Sequence, residues 1–296
     1  MAHRIERDCN KSLLSQFQII HSRPRELHSK KKKIYVLHDL PQDPEVQHLK
    51  DDGWKQYDKL VFVSHWQQEM YNLYLGVPYS AGVVLRNAIE PIEAHEKPDP
   101  NRKISLIYFS TPHRGLDILY AVFNQLTTEY DNLELNVFSS FQLYGWPERD
   151  EAYKGLFEQL NEHYNINYHK SVSNDRIRAE LQKAHIFAYP STWRETSCLC
   201  LIEAMSAGCM SVHSSLAALP ETSMGLTSMY GYTDNVQDHA NRFYLELKTA
   251  IELHRNSDKY KLVRPQASSA KAFVDYNYAW SARKLEWNSL MKSLLT

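Results

Sequence analysis

The sequence has 296 residues, of which 43% are hydrophobic, enough for two medium domains or one large one. Its 34 Lys and Arg residues are balanced by 35 Asp and Glu residues, which excludes a global field that would attract nucleic acid or a membrane surface. No run of 18 apolar residues occurs, and the first residues lack the apolar core of a signal peptide. The four cysteines include a C-x-C pair, not the C-x-x-C of zinc and redox sites. We therefore expect a soluble cytoplasmic protein with buried, reduced thiols.

Nine short segments rich in β-branched and aromatic residues are predicted to be strands. Several are apolar on both faces, which is typical of the covered strands of a parallel sheet. In chain order, the predicted strands are 18–20, 34–38, 59–64, 82–86, 103–110, 133–139, 166–169, 185–190 and 209–213.

Segments with helical periodicity lie between these strands. Gly76 and Gly208 each follow such a segment, as glycines commonly do at helix C-termini. Ser173 precedes another and is a favourable N-cap residue. The predicted helices are 66–76, 114–130, 174–184, 198–208 and 277–295.

The alternation of strands and helices predicts open, doubly wound parallel sheets of the α/β class. The segment 87–103 interrupts the alternation with three prolines and many charged residues, and we interpret it as an inter-domain linker. It separates a shortened first domain, residues 1–95, from a larger second domain, residues 96–276.

Glu195 and Glu203 lie eight positions apart around the start of a predicted helix, which we expect at Ser197 or Cys198. The free N–H groups and the dipole of a helix N-terminus can bind an anion such as a diphosphate without a metal. A rise of about 1.5 Å per residue separates the two carboxylates by at most about 12 Å along the axis. Because carboxylates accept several hydrogen bonds, the pair suits the hydroxyl groups at the two ends of a nucleotide sugar.

The segment "WRETSCLCLIEAMSAGCMSV" (193–212) resembles the E-x7-E signature of retaining GT-B glycosyltransferases of the large family 4. The resemblance covers roughly residues 34 to 296 and implies the GT-B fold, in which two Rossmann-like domains face a cleft. The C-terminal helix, 277–296, is similar to the family's helix that crosses back to the first domain. Further segments resemble motifs of this family in the family's own order: "LHDLP" (37–41), "FVSHWQ" (62–67), "RNAIEP" (86–91), "FSTPHRGLDIL" (109–119) and "ALPET" (218–222).

The resemblance implies catalytic roles for three residues. Glu195 would contact hydroxyls of the donor sugar, and His38 would face that sugar near the reaction centre. Arg114 would neutralise the diphosphate and stabilise the leaving group.

The resemblance also implies a set of donor-binding residues. Glu203 would bind the ribose, and backbone N–H groups near the helix start would bind the diphosphate. The loop 170–173 is similar to the stretch whose backbone frames the base. Besides Glu203, the donor-binding residues implied are Lys170, Val172, Thr196, Ser197, Cys198 and Leu199.

The reaction implied is glycosyl transfer with retention through an oxocarbenium-like state. No Asp-x-Asp occurs in the chain, so the metal–diphosphate clamp of the other common glycosyltransferase fold is not expected. We expect no metal and no cofactor beyond the nucleotide diphosphate sugar, with UDP or GDP as the nucleotide. The acceptor, a glycan, a protein or a lipid-linked group, is not specified by the sequence. Short first domains of this kind are similar to those of virus-encoded glycosyltransferases.

Two other functions fit parts of the pattern. Residues 1–33 contain no glycine, whereas the family's first domain opens with a glycine-rich loop, so a non-catalytic nucleotide-sugar-binding subunit that needs a partner is the first alternative. A phosphorylase or sugar epimerase on the same fold is the second. A phosphorylase would need a cofactor lysine, but the nearest lysines, Lys170 and Lys183, precede the E-x7-E segment. Trp193 is expected to fill the core, and packing beneath the donor sugar is its alternative role. Trp280 and Trp287 are expected to have packing roles.

Overall fold

The computed structural model describes residues 2–21, 26–28 and 30–296. The chain forms two compact units. The first unit consists of Met1–Glu90, Arg194–Leu199 and Tyr276–Thr296, and the second consists of Pro91–Trp193 and Cys200–Asp275. The sequence pattern gave no sign that the short segment Arg194–Leu199 would join the first unit.

The first unit contains a four-stranded sheet in the order β1-β2-β3-β4, and all neighbouring strands are parallel. Its first helices are short, and α3 begins at an N-cap serine and ends at a left-handed glycine. In chain order the elements are α1 (Ala2–Asp8), α2 (Lys11–Leu14), β1 (Phe17–His21), β2 (Lys32–Val36), β3 (Lys59–Phe62), α3 (His65–Leu75) and β4 (Gly82–Val84).

The second unit contains a six-stranded parallel sheet flanked by helices. Its elements are β5 (Ile104–Tyr108), α4 (Leu116–Leu126), β6 (Leu133–Val137), α5 (Lys154–Glu162), β7 (Ile166–Tyr168), α6 (Asn174–Lys183), β8 (Ile186–Tyr189), α7 (Leu199–Ser206), β9 (Met210–Ser214), α8 (Leu219–Ser223), β10 (Ser228–Tyr230), α9 (Val236–Arg255) and α10 (Ser257–Asn277).

The first sheet is covered on both faces. On one face, Ile34 is buried with Trp280 and Trp287 of the last helix, α11 (Trp280–Ser293). On the other face, its neighbour Tyr35 is buried with Tyr71 of α3. Successive strand residues point to opposite faces, so this alternation is what a doubly covered parallel sheet requires. Both tryptophans therefore have the packing role that their positions predicted.

The second sheet reverses its strand order at β5. The spatial order is β10-β9-β8-β5-β6-β7, so the chain builds outward from β5 to β7 and then crosses to the other side of β5 at β8. In open α/β sheets, ligands bind outside the carboxyl ends of the strands at such a switch point. This topology places the switch point between β5 and β8.

The predicted fold class is confirmed, since both units are parallel α/β sheets. Each of the nine predicted strands overlaps an observed strand, whereas β10 was missed because its residues, Ser-Met-Tyr, include no β-branched residue. Helices α1, α2, α5, α8, α9 and α10 were also not predicted. Within the described part of the chain, no helix has both the length and the apolar character that crossing a membrane requires.

Candidate functional site

Two loops of the second unit meet where β5 and β8 end. The loop after β5 forms a 3-10 turn, Pro112–Arg114, followed by Gly115 in a left-handed conformation with a φ of 96°. A Cβ atom on Gly115 would lie only 2.2 Å from the carbonyl oxygen of Pro190, which follows β8. Glycine is therefore required both for the backbone angle and for the close approach of the two loops. The predicted helix 114–130 accordingly starts later, at Leu116, and Arg114 lies in the turn before it.

Arg114 is partly buried at this edge of the sheet. Its Nη2 atom donates to the hydroxyl of Tyr144 at 3.4 Å. A guanidinium group is permanently charged and presents a planar fork of donors that matches phosphate oxygens. Its position at the switch point suits the neutralisation of an anionic ligand.

Two buried hydroxyl groups follow the adjacent strands β5 and β6. Thr111 and Ser139 are 1% and 2% exposed. Across the described residues, neither Thr111 Oγ1 nor Ser139 Oγ has a hydrogen-bond partner. A buried hydroxyl without a partner costs free energy, and such groups commonly mark the position of a ligand or an ordered water. Neither residue was singled out from the sequence, although Thr111 follows the predicted strand 103–110 and Ser139 ends the predicted strand 133–139.

His113 connects the loops after β5, β6 and β8. Its ring stacks on Phe141 with centroids 5.2 Å apart and meets Trp193 edge-on at 5.0 Å. Burial, together with the charges of Arg114 and Arg149, lowers the pKa of His113 to about 4. The imidazole is therefore neutral at pH 7 and acts as an aromatic spacer rather than as a second cation beside Arg114.

Glu203, on α7, is buried in the second unit with 8% exposure. Its Oε1 atom accepts hydrogen bonds from Arg178 Nη1 at 3.3 Å and from Asn174 Nδ2 at 3.2 Å, both on α6. A buried carboxylate requires a compensating charge and hydrogen bonds, and α6 supplies both. The sequence did not reveal these partners, because Asn174 and Arg178 share a helix face at a spacing that is common in ordinary helices.

The loop 170–173 leads from β7 directly into α6. Lys170 is exposed and has a left-handed φ of 54°, which is uncommon for a residue other than glycine. Val172 is partly buried, and Ser173 caps α6 by accepting from the backbone N–H of Arg176. Since Asn174 contacts Glu203, the structure brings this loop and Glu203 to the same end of α6.

The helix α7 begins at Leu199, one or two residues later than predicted. In the first unit, the Thr196 hydroxyl donates to the carbonyl oxygen of His38 at 2.9 Å. This hydrogen bond anchors the residues just before Leu199, which lie outside the helix. Cys198 is buried, whereas Leu199 is 45% exposed. In the second unit, the thiol of Cys200 contacts the carbonyl oxygen of Phe109 after β5.

The first unit brings His38 together with the segment that contains Glu195. His38 follows β2, and its ring stacks with that of His21, the last residue of β1, at a centroid distance of 6.1 Å. Burial lowers the pKa of both imidazoles to about 4, so both are neutral at pH 7. Glu195 is 6% exposed. The buried Ser197 Oγ has no hydrogen-bond partner across the described residues.

A family model described as "Glycosyl transferases group 1" matches residues 104–244 of the chain. The matched segment begins at β5 and ends within α9, so it includes the loops around Arg114 and the helix with Glu203. A comparison with curated proteins finds no match.

Several solved structures share the fold at low sequence identity. A glycosyltransferase from Rickettsia africae has a TM-score of 0.73 and 14% identity, over 94% of this chain and 77% of that one. A mutant of TarM from S. aureus, solved with fondaparinux, alpha-GlcNAc-glycerol and UDP, has a TM-score of 0.65 and 16% identity. That match covers 90% of this chain but only 52% of TarM. HepE from Anabaena, solved with UDP-glucose, has a TM-score of 0.61 and 18% identity, over 90% of this chain and 72% of HepE.

These similarities identify the fold as that of GT-B glycosyltransferases. The matched family model and the fold together support a glycosyltransferase.

Proposed function

We propose that the protein is a retaining, metal-independent glycosyltransferase of family 4 that moves a sugar from a nucleotide diphosphate sugar to an acceptor hydroxyl. One observation carries the proposal: Arg114 and the buried, unpartnered hydroxyls of Thr111 and Ser139 lie at the carboxyl ends of β5 and β6, beside the switch point. This is where an open α/β sheet binds a phosphorylated ligand.

The carboxyl ends of β5 and β6 would hold the diphosphate of the donor. As the bond between sugar C1 and the diphosphate oxygen breaks, negative charge grows on the departing phosphate. A fixed guanidinium at Arg114 stabilises this charge, because it requires no reorganisation at the moment of reaction. The hydroxyls of Thr111 and Ser139 would donate to phosphate oxygens and so gain the partners that they lack within the protein.

Glu203 would bind the ribose diol. Its Oε1 atom already accepts from Arg178 and Asn174, but a carboxylate offers about four acceptor positions in total. The carboxylate can therefore remain neutralised by Arg178 while it accepts from sugar hydroxyls. The loop 170–173 would frame the base of the nucleotide with its backbone. The left-handed backbone at Lys170 agrees with a loop shaped for close approach to a ligand.

Glu195 would contact hydroxyls of the transferred sugar, and His38 would face its reaction centre. The neutral imidazole of His38 adds no positive charge near an oxocarbenium-like state, which a protonated histidine would destabilise. The acceptor oxygen forms its bond to C1 on the face that the diphosphate leaves. The acceptor proton passes to the departing diphosphate. Because the new bond forms on the face from which the diphosphate leaves, the anomeric configuration is retained.

Metal independence is part of the proposal. The positive charge that a divalent cation would otherwise supply comes from Arg114. The sequence contains no Asp-x-Asp to hold such a cation. Because TarM and HepE were solved with UDP or UDP-glucose, UDP-sugars are the first donors to test.

The test is nucleotide release from UDP-, GDP-, ADP- and dTDP-sugars by the purified full chain, with EDTA present throughout. The proposal predicts release from at least one donor, with the sugar product formed in the donor's anomeric configuration by NMR. Arg114→Ala should abolish release. Inversion of configuration, loss of release in EDTA, or wild-type release by the Arg114 variant would contradict the proposed site.

A non-catalytic nucleotide-sugar-binding subunit is the second candidate. It is favoured by the small first unit, whose sheet has four strands against six in the second. This alternative predicts tight nucleotide binding without release of nucleotide from any donor, even with a panel of sugar acceptors. The same release assay therefore separates the two functions.

A further inference from the structure

Three aromatic side chains are exposed in loops at the carboxyl edge of the second unit's sheet, and the proposed donor site does not use them. Tyr144, Trp146 and Trp193 are 47%, 38% and 43% exposed. We call these three residues the aromatic patch. The expectation that Trp193 packs in the core was wrong, since the loop after β8 leaves much of its ring in solvent. Tyr144 lies beside Trp146 and contacts Arg114, whereas Trp193 contacts His113, so these side chains border one turn, Pro112–Arg114. Exposed aromatic groups that border one turn of a folded protein commonly mark a binding site.

Trp193 is held in a defined orientation by buried aromatic neighbours. His113 meets the indole edge-on at 5.0 Å and stacks on Phe141 at 5.2 Å, and Phe141 is only 7% exposed. The Thr192 hydroxyl, one residue before Trp193, donates to the carbonyl oxygen of His113 at 3.3 Å. The exposed part of Trp193 is therefore a rigid surface.

Tyr144 and Trp146 are fixed in a similar way. The hydroxyl of Tyr144 accepts from Arg114, and its ring centroid lies 5.8 Å from that of Trp146. The Arg149 guanidinium lies over the Trp146 ring, 4.2 Å from its centroid. The patch thus combines apolar ring surface with polar groups at its edges, and it adjoins Arg114.

The backbone of the loop that contains Tyr144 and Trp146 is also anchored. Asp150 accepts from the backbone N–H of Phe141 at 2.8 Å and from the hydroxyl of Ser140. Ser140 in turn accepts from the backbone N–H of Gln142 at 2.9 Å. An anchored loop loses little conformational entropy when it binds a ligand, which favours affinity.

We propose that the aromatic patch is an acceptor subsite that binds the sugar ring of a carbohydrate acceptor. A pyranose has an apolar face of C–H groups and a rim of hydroxyls, and it therefore complements aromatic rings bordered by arginines and a phenol. This inference rests on the proposed function, and it assigns the acceptor to the carbohydrate class. The patch is suitably placed within the second unit, because Tyr144 contacts Arg114, the residue proposed to hold the diphosphate of the donor.

Other occupants fit the patch less well. A stable protein interface needs roughly 20–30 residues on each side, far more than three side chains. The residues that follow Trp146 include three acidic ones, Glu148, Asp150 and Glu151, against one basic one, Arg149, and this net negative charge disfavours anionic membrane lipids. A nucleobase could also stack on an aromatic ring. In that case the tryptophan variants would lose UDP affinity instead of sugar affinity.

The test is saturation-transfer NMR on the full chain with methyl glycosides of common hexoses and their disaccharides, with and without excess UDP. We expect saturation of the C–H protons on one face of at least one sugar. Trp146→Ala and Trp193→Ala should each weaken its dissociation constant about tenfold, equivalent to about 1.4 kcal/mol. Tyr164→Ala is the matched control, because Tyr164 is 98% exposed and precedes β7 at the opposite edge of the same sheet. This control should bind like the wild type.

Three results would overturn the inference. They are an absence of saturation for every sugar, wild-type sugar affinity in both tryptophan variants, and a loss of UDP affinity instead of sugar affinity in those variants. UDP affinity and nucleotide release are recorded in parallel by separate measurements. If the protein neither binds UDP nor releases nucleotide but still binds the sugar, the proposed function is contradicted while the sugar subsite remains in place.

Discussion

Arg178 on α6 holds the carboxylate of Glu203 on α7, with Nη1 3.3 Å from Oε1. Both side chains are largely buried, with 22% and 11% exposure. A glutamate on a helix otherwise rich in Leu, Ile, Ala and Met is tolerated because a guanidinium neutralises it in place. The pair also fixes the direction of the carboxylate, which is what a ribose-binding group requires.

Removal of Arg178 should destabilise the protein by leaving a buried carboxylate with less compensation. We expect Arg178→Gln to lower the free energy of unfolding by about 1–3 kcal/mol. In a double-mutant cycle with Glu203→Gln, the two losses should be less than additive by about 0.5–3 kcal/mol. Urea unfolding of the four proteins measures this coupling.

The control for this cycle is Arg176→Gln on the same helix. Arg176 pairs with Glu180, but its side chain is 57% exposed, so its loss should cost less than about 1 kcal/mol. Equal destabilisation by both arginine variants, or strict additivity in the cycle, would show that the Arg178–Glu203 pair has no special structural role.

Gly115→Ala should be strongly destabilising, because the new Cβ would clash with the Pro190 carbonyl as well as strain the backbone. We expect a loss of more than about 2 kcal/mol and a large fall in nucleotide release through displacement of Arg114. Gly208→Ala is a matched control. Gly208 has a φ of 71° but nothing within 4 Å of an added Cβ, so only the backbone penalty of about 1 kcal/mol should remain. Equal thermal shifts for the two variants would contradict the close-approach argument.

Thr196→Val should impair turnover more than stability. It removes the hydrogen bond from the Thr196 hydroxyl to the His38 carbonyl oxygen, which holds the Glu195 segment against the end of β2. The stability loss should be about 1 kcal/mol, whereas kcat should fall at least about tenfold if this contact positions Glu195. Thr196→Ser keeps the hydroxyl and should restore both quantities. Unchanged kcat in the valine variant would remove Thr196 from the site.

Stability should fall as the pH decreases from about 6.5 to about 4. Burial lowers the pKa of His213 and His254 to about 4 in the folded protein. The unfolded chain therefore binds more protons in this window, and stability increases with pH across it. Urea midpoints measured from pH 4 to pH 7.5 should show this slope. His254→Phe should reduce it by up to about 1.4 kcal/mol per pH unit, and an unchanged slope would show that His254 titrates normally.

The strands were predictable because their residues are apolar on both faces and the breaks between them are polar. The order of the strands could not be predicted. The chain crosses from β7 to β8 on the other side of β5, and this crossing depends on tertiary packing. For the same reason the sequence could not show that Arg178 meets Glu203, because that contact depends on where α6 and α7 lie in the folded unit. For Trp193 the core was preferred over a position beneath the sugar, but the residue is 43% exposed and contacts His113 in the loop after β5.

The site residues suggested by the E-x7-E resemblance fall into two local groups. Within the second unit, Glu203 lies at the end of α6 to which the loop 170–173 leads, and Arg114 lies at the switch point. Within the first unit, His38 contacts the segment that contains Glu195. Thr111 and Ser139 were missed because their signal, a buried hydroxyl without a partner, exists only in three dimensions.

The most direct test of the account is the binding of UDP to the wild type and to Glu203→Gln, measured by thermal shift and calorimetry in EDTA. At hundredfold saturation, UDP should stabilise the wild type by about 2.7 kcal/mol. The Glu203→Gln variant, which keeps the side chain's shape, should lose most of this stabilisation while remaining folded. If no nucleotide stabilises the wild type, or if the variant binds UDP as tightly as the wild type does, then Glu203 does not bind a ribose and the proposed donor site is wrong.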